Sequence, residues 1–211
     1  MKKIYINIFY GLISIIIAFC FVFLLKTFVG MPTTVKGTSM AKTFYPKEKL
    51  ILSTWDANFN ITPKRGEIVT FEAPSVDFIS NATSNDSAAI YQENDESLGE
   101  KFLHDCLGIS KKSYIKRVIG LPGEHIQIKY GKVYVDDTEL QEDYIKNGIE
   151  TDMSLGGEFS DVIVPEGYVY VLGDNRISSA DSRRFGCIPI EKIEGKAVFR
   201  WWPLKRAGKV K

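Results

Sequence analysis

The chain changes character once along its length. From Ile4 to Leu25, 22 successive residues carry no charge, and most are large and apolar. About 20 helical residues cross the ~30 Å hydrocarbon core of a bilayer, so this run predicts a membrane-spanning helix. A cleavable secretory signal has a shorter apolar region, about 7–15 residues, ending at small side chains. Here the run is longer, and Lys26-Thr27-Phe28-Val29-Gly30 offers no small-x-small pair. The helix is therefore expected to remain as an anchor.

Beyond residue 27 the apolar runs are short and β-branched. Leu50-Ile51-Leu52 and Glu67-Ile68-Val69-Thr70-Phe71 read as strands. Ile126-Gln127-Ile128-Lys129-Tyr130 and Lys132-Val133-Tyr134-Val135 alternate in type and meet at Gly131, as a hairpin would. Val162-Ile163-Val164 and Tyr168-Val169-Tyr170-Val171-Leu172 flank a Pro165-Glu166-Gly167 turn. Ala197 to Trp202 makes a last strand, stopped by Pro203. No strand–helix–strand rhythm and no internal repeat occurs. The expected fold is mostly β, an antiparallel sheet domain with one N-terminal transmembrane helix and a long insertion. The expected division is 1–27 for the cytoplasmic N-terminus and anchor and 28–211 for an extracytoplasmic domain, with the insertion at 73–112. That insertion is rich in Ser, Asn, Asp and Glu, gains an apolar patch at Phe102-Leu103, and reads as a surface loop with room for one short helix. Asn81-Ala82-Thr83 and Asn85-Asp86-Ser87 match the glycosylation pattern, which such loops also produce by chance. Lys205-Arg206 and Lys209 to Lys211 read as a solvated tail.

Composition narrows the function. Of 211 residues, 27 are basic and 26 acidic, without the basic excess of a nucleic-acid binder, and 45% are hydrophobic, too many for a disordered chain. Three of the 27 basic residues (Lys2, Lys3 and Lys26) lie at the apolar run, leaving 24 against 26 acidic side chains beyond it. Two lysines and the terminal amine precede the run and only Lys26 closely follows it. The positive-inside bias thus places the N-terminus in the cytoplasm and the rest outside. Three cysteines make no disulfide framework. Cys20 lies in the apolar run, and whether Cys106 and Cys187 pair is open. The two histidines, His104 and His125, are far apart without ligand spacing, so no metal or cofactor is expected. Both read as surface residues, and a hydrolase built on this chain needs another base.

Three segments could supply one. Gly37-Thr38-Ser39-Met40 puts Ser39 in a flexible context, although a surface serine is commonly no more than that. Tyr114-Ile115-Lys116-Arg117-Val118-Ile119-Gly120-Leu121-Pro122-Gly123-Glu124 is a strand ending in a turn. Alternate side chains share a face, so Lys116 lies with Tyr114 and Val118 while Arg117 points away; a snorkelling edge lysine would look alike. Gly173 to Gly186 (GDNRISSADSRRFG) packs turn formers, charges and hydroxyls behind a buried-looking strand, as a loop held by internal ion pairs would.

In this order behind an anchor, the three segments closely resemble those of the bacterial type I signal peptidases, membrane-bound Ser-Lys serine proteases; Gly66 to Phe71 also resembles the family's strand between them. The resemblance spans the chain except 73–112. It implies Ser39 as nucleophile, Lys116 as general base, Ser179 as the hydroxyl orienting the lysine, Asp181 with Arg183 as a supporting ion pair, and Met40 at the substrate. It implies exported preproteins as substrates, cut after small-x-small sites, and membrane lipid as surroundings. Two positions depart from the family pattern. Lys42 stands where a proline usually follows the nucleophile, and Gly37 stands where some members carry an oxyanion-donating serine, which leaves backbone N–H groups such as that of Ser39.

The chemistry is self-consistent. A serine hydroxyl needs a base, and lysine serves only when neutral, which at its ordinary pKa of about 10.4 is about 0.04% of molecules at pH 7. Desolvation beside Tyr114 and Val118 can lower that pKa to about 8. A substrate bound as an added strand turns its first and third side chains before the cut to one wall, where shallow apolar pockets would accept alanine. Ser39 lies 13 residues beyond Lys26, within about 45 Å of the membrane exit. Trp201 and Trp202 read as core or interfacial residues. Other readings remain open from the residues: a peptidase dedicated to one surface or pilus substrate, or a non-catalytic membrane-tethered scaffold. A repressor-type Ser-Lys protease would need a DNA-binding domain in place of the helix.

Overall fold

The computed structural model describes residues 2–28, 30–75, 87–91, 112–145, 149–151 and 159–210. The apolar run forms α1 (Lys2–Phe28), and its stretch Lys3–Phe21, of mean hydropathy 2.3, is long and apolar enough to cross a membrane. β1 (Met31–Thr34) follows almost at once and pairs antiparallel with β2 (Lys49–Ser53). Gly30 makes this junction possible. Its φ is +123°, and a Cβ there would sit 2.2 Å from the carbonyl oxygen of Leu52.

Two antiparallel sheets build the rest. The larger contains β1, β2, β3 (Ile68–Glu72), β4 (Ser113–Gly120), β9 (Tyr168–Leu172), β10 (Ile188–Pro189), β11 (Ile193–Trp202) and β12 (Gly208–Lys209). Its order is β1-β2-β11-β3-β4-β9-β10, with β12 on β11. The smaller runs β7 (Thr138–Glu139), β6 (Lys132–Val135), β5 (His125–Lys129), β8 (Asp161–Ile163). Two short helices, α2 (Trp55–Asn58) and α3 (Ser182–Phe185), lie among them. The expected hairpin joins β5 to β6, where Tyr130 (φ 54°) and Gly131 (φ 74°) give the two positive φ values that a tight two-residue turn needs. β8 and β9 are not a hairpin, however: the turn between them carries the chain from one sheet to the other.

Strand alternation explains how the sheets join. On β4, Ile119 faces a core shared with Ile126, Val133 and Val162 of the smaller sheet and with Phe159 just before β8, while Val118 faces a second core with Val69, Phe71 and Phe185. On β9, Tyr170 and Leu172 enter the first core, Val169 and Val171 the second. Both strands are thus covered on two sides, which is why β9 reads as a continuous apolar run. A third core gathers Val35, Met40, Phe44, Leu50, Leu52, Ile68 and Ala197.

Two expectations from sequence are corrected. The insertion is not wholly a surface loop: Ser87 and Ala89 are buried, Ala88 bridges Cys187 in parallel, and the Tyr91 hydroxyl donates to the Glu72 carbonyl at 2.9 Å. The glycosylation-like sites, Phe102-Leu103, His104 and Cys106 lie outside the described residues, and Cys187 is a buried free thiol. Nor is the C-terminal stretch merely solvated, since Arg206 donates to Glu48 Oε1 at 2.5 Å and to the carbonyls of Lys42 and Thr43 at 3.3 Å. His125 pairs with Asp161 at 2.6 Å on the outside of the smaller sheet.

Candidate active site

Ser39 lies in the turn between β1 and β2, and the turn is pinned on its far side. Met40 and Phe44 are each 1% exposed in the third core, and the Phe44 N–H donates to the Met40 carbonyl at 2.7 Å. With its side chain buried, Met40 presents nothing but backbone to a surface ligand; it anchors Ser39 instead. The loop after β9 closes the other side: the Asn175 N–H donates to the Ser39 carbonyl at 2.9 Å and its side-chain amide to the Thr38 carbonyl at 3.1 Å.

Lys116 reaches the same point from β4. Its Nζ donates to Ser39 Oγ at 2.8 Å and to the Ile115 carbonyl at 3.1 Å, and lies 5.1 Å from the centre of the Tyr114 ring. Lys116 is 3% exposed, whereas Ser39 is only partly covered. Burial pushes the ammonium down to about 8; the charges of Asp181 and Asp174 pull it upward, but less. At pH 7 about a tenth of such lysines are neutral. The arrangement is a hydroxyl open to a ligand with a desolvated amine in hydrogen-bond contact, able to accept its proton.

The carboxylates nearest the lysine are held by arginines. Asp181 receives Arg183 Nε at 2.8 Å and Nη2 at 2.9 Å, caps α3 through the Arg183 N–H at 3.3 Å, and takes the Gly173 N–H at 3.1 Å. Asp174 receives Arg117 Nε at 2.9 Å and Nη2 at 2.7 Å, and accepts from the Thr43 hydroxyl. Sequence reasoning singled out Asp181 and Arg183 but missed the Arg117–Asp174 pair. The available signal was alternation, since Arg117 had to point away from Lys116 into a face already buried.

Ser179 is 5% exposed and its Oγ has no hydrogen-bond partner, so no bond joins it to Lys116. It packs on Gly173, where a Cβ would sit 2.2 Å from Ser179 Oγ and 2.6 Å from the Ser39 carbonyl oxygen. A buried hydroxyl left unpaired is an unusual cost. At Lys42 the backbone has φ +86°, which a proline ring, fixed near −65°, cannot adopt. The local turn therefore differs from one that holds proline there.

The chain matches the profile of the family described as signal peptidase, peptidase S26, over residues 8–202. Signal peptidase I of Leptolyngbya laminosa is 34% identical over 186 residues, covering 88% of this chain and 75% of that protein. Signal peptidase I of Bacillus caldolyticus is 32% identical over 199 residues, covering 90% and 89%. Thylakoidal processing peptidase 1, chloroplastic, of Arabidopsis thaliana is 30% identical over 180 residues, covering 85% and 44%.

Two substitutions probe this geometry. Gly173→Ala should fold yet lose at least about tenfold in turnover, because its methyl group must displace Ser179 or the Ser39 backbone. Normal turnover would show that the contact is slack. Lys42→Pro, although it restores the family pattern, should lower stability by more than about 1 kcal/mol in denaturant titration, whereas Lys42→Gly should not.

Proposed function

The chain belongs to the signal peptidase family, peptidase S26, a family of serine proteases, and from that premise we propose that it cleaves signal peptides from exported preproteins at the membrane surface, with Ser39 as nucleophile and Lys116 as base. The observation that carries the reading is the 2.8 Å contact between Ser39 Oγ and an amine that is 3% exposed. Neither the dedicated-peptidase nor the scaffold reading draws support from the relatives.

In this reading Ser39 Oγ attacks the scissile carbonyl while its proton passes to neutral Lys116 Nζ. The backbone N–H of Ser39 stabilises the oxyanion, since Gly37 brings no hydroxyl. The resulting ammonium protonates the leaving amine, which departs as the new N-terminus of the mature protein. The neutral lysine then takes a proton from water, and the hydroxide attacks the acyl-enzyme. The signal peptide leaves as a carboxylate, and Oγ recovers its proton from Lys116.

Sheet register supports a place for the substrate. The pairing of β9 with β4 begins at Arg117, so Ser113 to Lys116 pair with β3 alone among the described strands. An extended peptide can add there and pass its scissile bond over Ser39. Lys2 and Lys3, ahead of the apolar run Ile4 to Leu25, favour a cytoplasmic N-terminus and an external domain. β1 starts three residues after α1 ends, which suits substrates themselves embedded by an apolar segment.

Ser39→Ala and Lys116→Ala should each cut turnover of a preprotein by about 10³-fold or more; near-normal cleavage by both would refute the assignment. In the wild type, kcat/KM should rise tenfold per pH unit up to a midpoint near 8. A free-enzyme midpoint near 10.5 would contradict a desolvated base. Because this pKa lies below that of the unfolded chain, the unfolded state binds the extra proton between about pH 8 and 10.5. Stability therefore rises with pH through that window, and the penalty is complete below it. Lys116→Met should accordingly be inactive but more stable at pH 7, by up to about 3 kcal/mol, with the difference fading between about pH 8 and 10.5.

A further inference from the structure

The least expected grip on the site comes from the segment that follows β7 of the smaller sheet. Arg176, in the turn after β9, is fully buried. Its Nε donates to the Gly173 carbonyl at 3.0 Å. Nη1 donates to Glu142 Oε2 at 3.0 Å and to the Thr151 hydroxyl, and Nη2 donates to Glu142 Oε1. Glu142 lies in the segment that follows β7, with its side chain 10% exposed. The Tyr144 hydroxyl donates to the same Glu142 oxygen at 2.6 Å, and the Arg117 guanidinium carbon lies over the Tyr144 ring, 4.0 Å from its centre. One short segment thus holds both the loop carrying Gly173 and the residue next to Lys116.

We propose that Glu142 is a positioning residue for the hydrolysis, fixing through Arg176 the Gly173–Asn175 loop against the Ser39 backbone. This inference rests on the Ser39–Lys116 reading above. Three buried guanidinium groups, of Arg117, Arg176 and Arg183, are matched by three carboxylates, of Asp174, Glu142 and Asp181. Each carboxylate has its own arginine. If Glu142 loses its charge, neither of the other two described acids of this network replaces it: both Asp181 oxygens are held by Arg183, and both Asp174 oxygens by Arg117. An uncompensated buried cation is costly, and Arg176 relieves it only by turning outward or being rehydrated. Either movement disturbs the Gly173 carbonyl it holds, and Gly173 is wedged against the Ser39 carbonyl and Ser179. Displacements of about 1 Å at reacting groups cost up to about 100-fold in rate. None of the bonds given above for Glu142, Arg176, Thr151 and Tyr144 reaches Ser113 to Lys116, the stretch of β4 left to the substrate, so substrate affinity should change little.

The test uses the full chain in detergent and a fluorophosphonate ester, whose burst amplitude counts competent Ser39 and whose rate reports its activation. Glu142→Gln should keep the amplitude, lower the rate per competent site about tenfold, and leave KM for a small-x-small peptide within about twofold. Tyr144→Phe, which removes only the phenol's bond to Glu142, should lower that rate by a smaller factor. Combining Glu142→Gln with Arg176→Lys should do little more than the worse of the two alone. Should Glu142→Gln fail to fold, Tyr144→Phe and Thr151→Val decide the matter. Wild-type rates per competent site, or losses that merely follow the competent fraction, overturn the proposal. Lys116→Ala separates the two readings. If it reacts normally, the dyad itself is wrong; if it is inert while Glu142→Gln reacts normally, only the role of Glu142 falls.

Discussion

The Lys116 amine is removed from water and placed against a hydroxyl, with no carboxylate of the described residues bonded to it. Two acids lie near enough to raise its pKa, Asp174 and Asp181. Left free, either would hold the lysine as an ammonium ion. Each is instead clasped by two nitrogens of one arginine, so most of its field is spent on that partner. The arginines act as much to occupy the acids as to brace the loop. Desolvation then outweighs attraction, and the pKa settles near the pH at which a base is useful.

The strand period turns this into architecture. Consecutive residues of β4 face opposite ways, so Lys116 joins Tyr114 and Val118 on the active-site face while Arg117 reaches the side shared with the smaller sheet. The backbone step between them, less than 4 Å, separates the proposed base from an arginine bonded to Asp174. The segment that follows β7 reaches the site through Arg117 and Arg176. The Ser39 turn is held separately, by Met40 and Phe44 beneath and by Asn175 alongside. Serine and lysine therefore sit on independent supports that must agree in position.

Departures from the family pattern become intelligible at this level. Lys42 adopts a positive φ, and Arg200 and Arg206 of the C-terminal region steady that turn through the Thr43 and Lys42 carbonyls. Those bonds take the place of the rigidity a proline ring would bring. Ser179, buried and unpaired, sits where a small shift of Gly173 would alter its reach.

The anchor, the mostly β character, the Gly131 hairpin and the opposite facing of Lys116 and Arg117 could all be read from local pattern, because run length and a period of two are written in adjacent residues. The three chemical segments were legible too, through resemblance. The sequence could not say that β8 and β9 belong to different sheets, since a short turn permits either arrangement. Nor could it bring Glu142 to Arg176 or Asp174 to Arg117, separations of 34 and 57 residues, or bury Ser87 and Ala89. Such pairings carry no periodicity. They are chosen when packing excludes water and each buried charge must find a partner, and only the assembled sheets impose that condition.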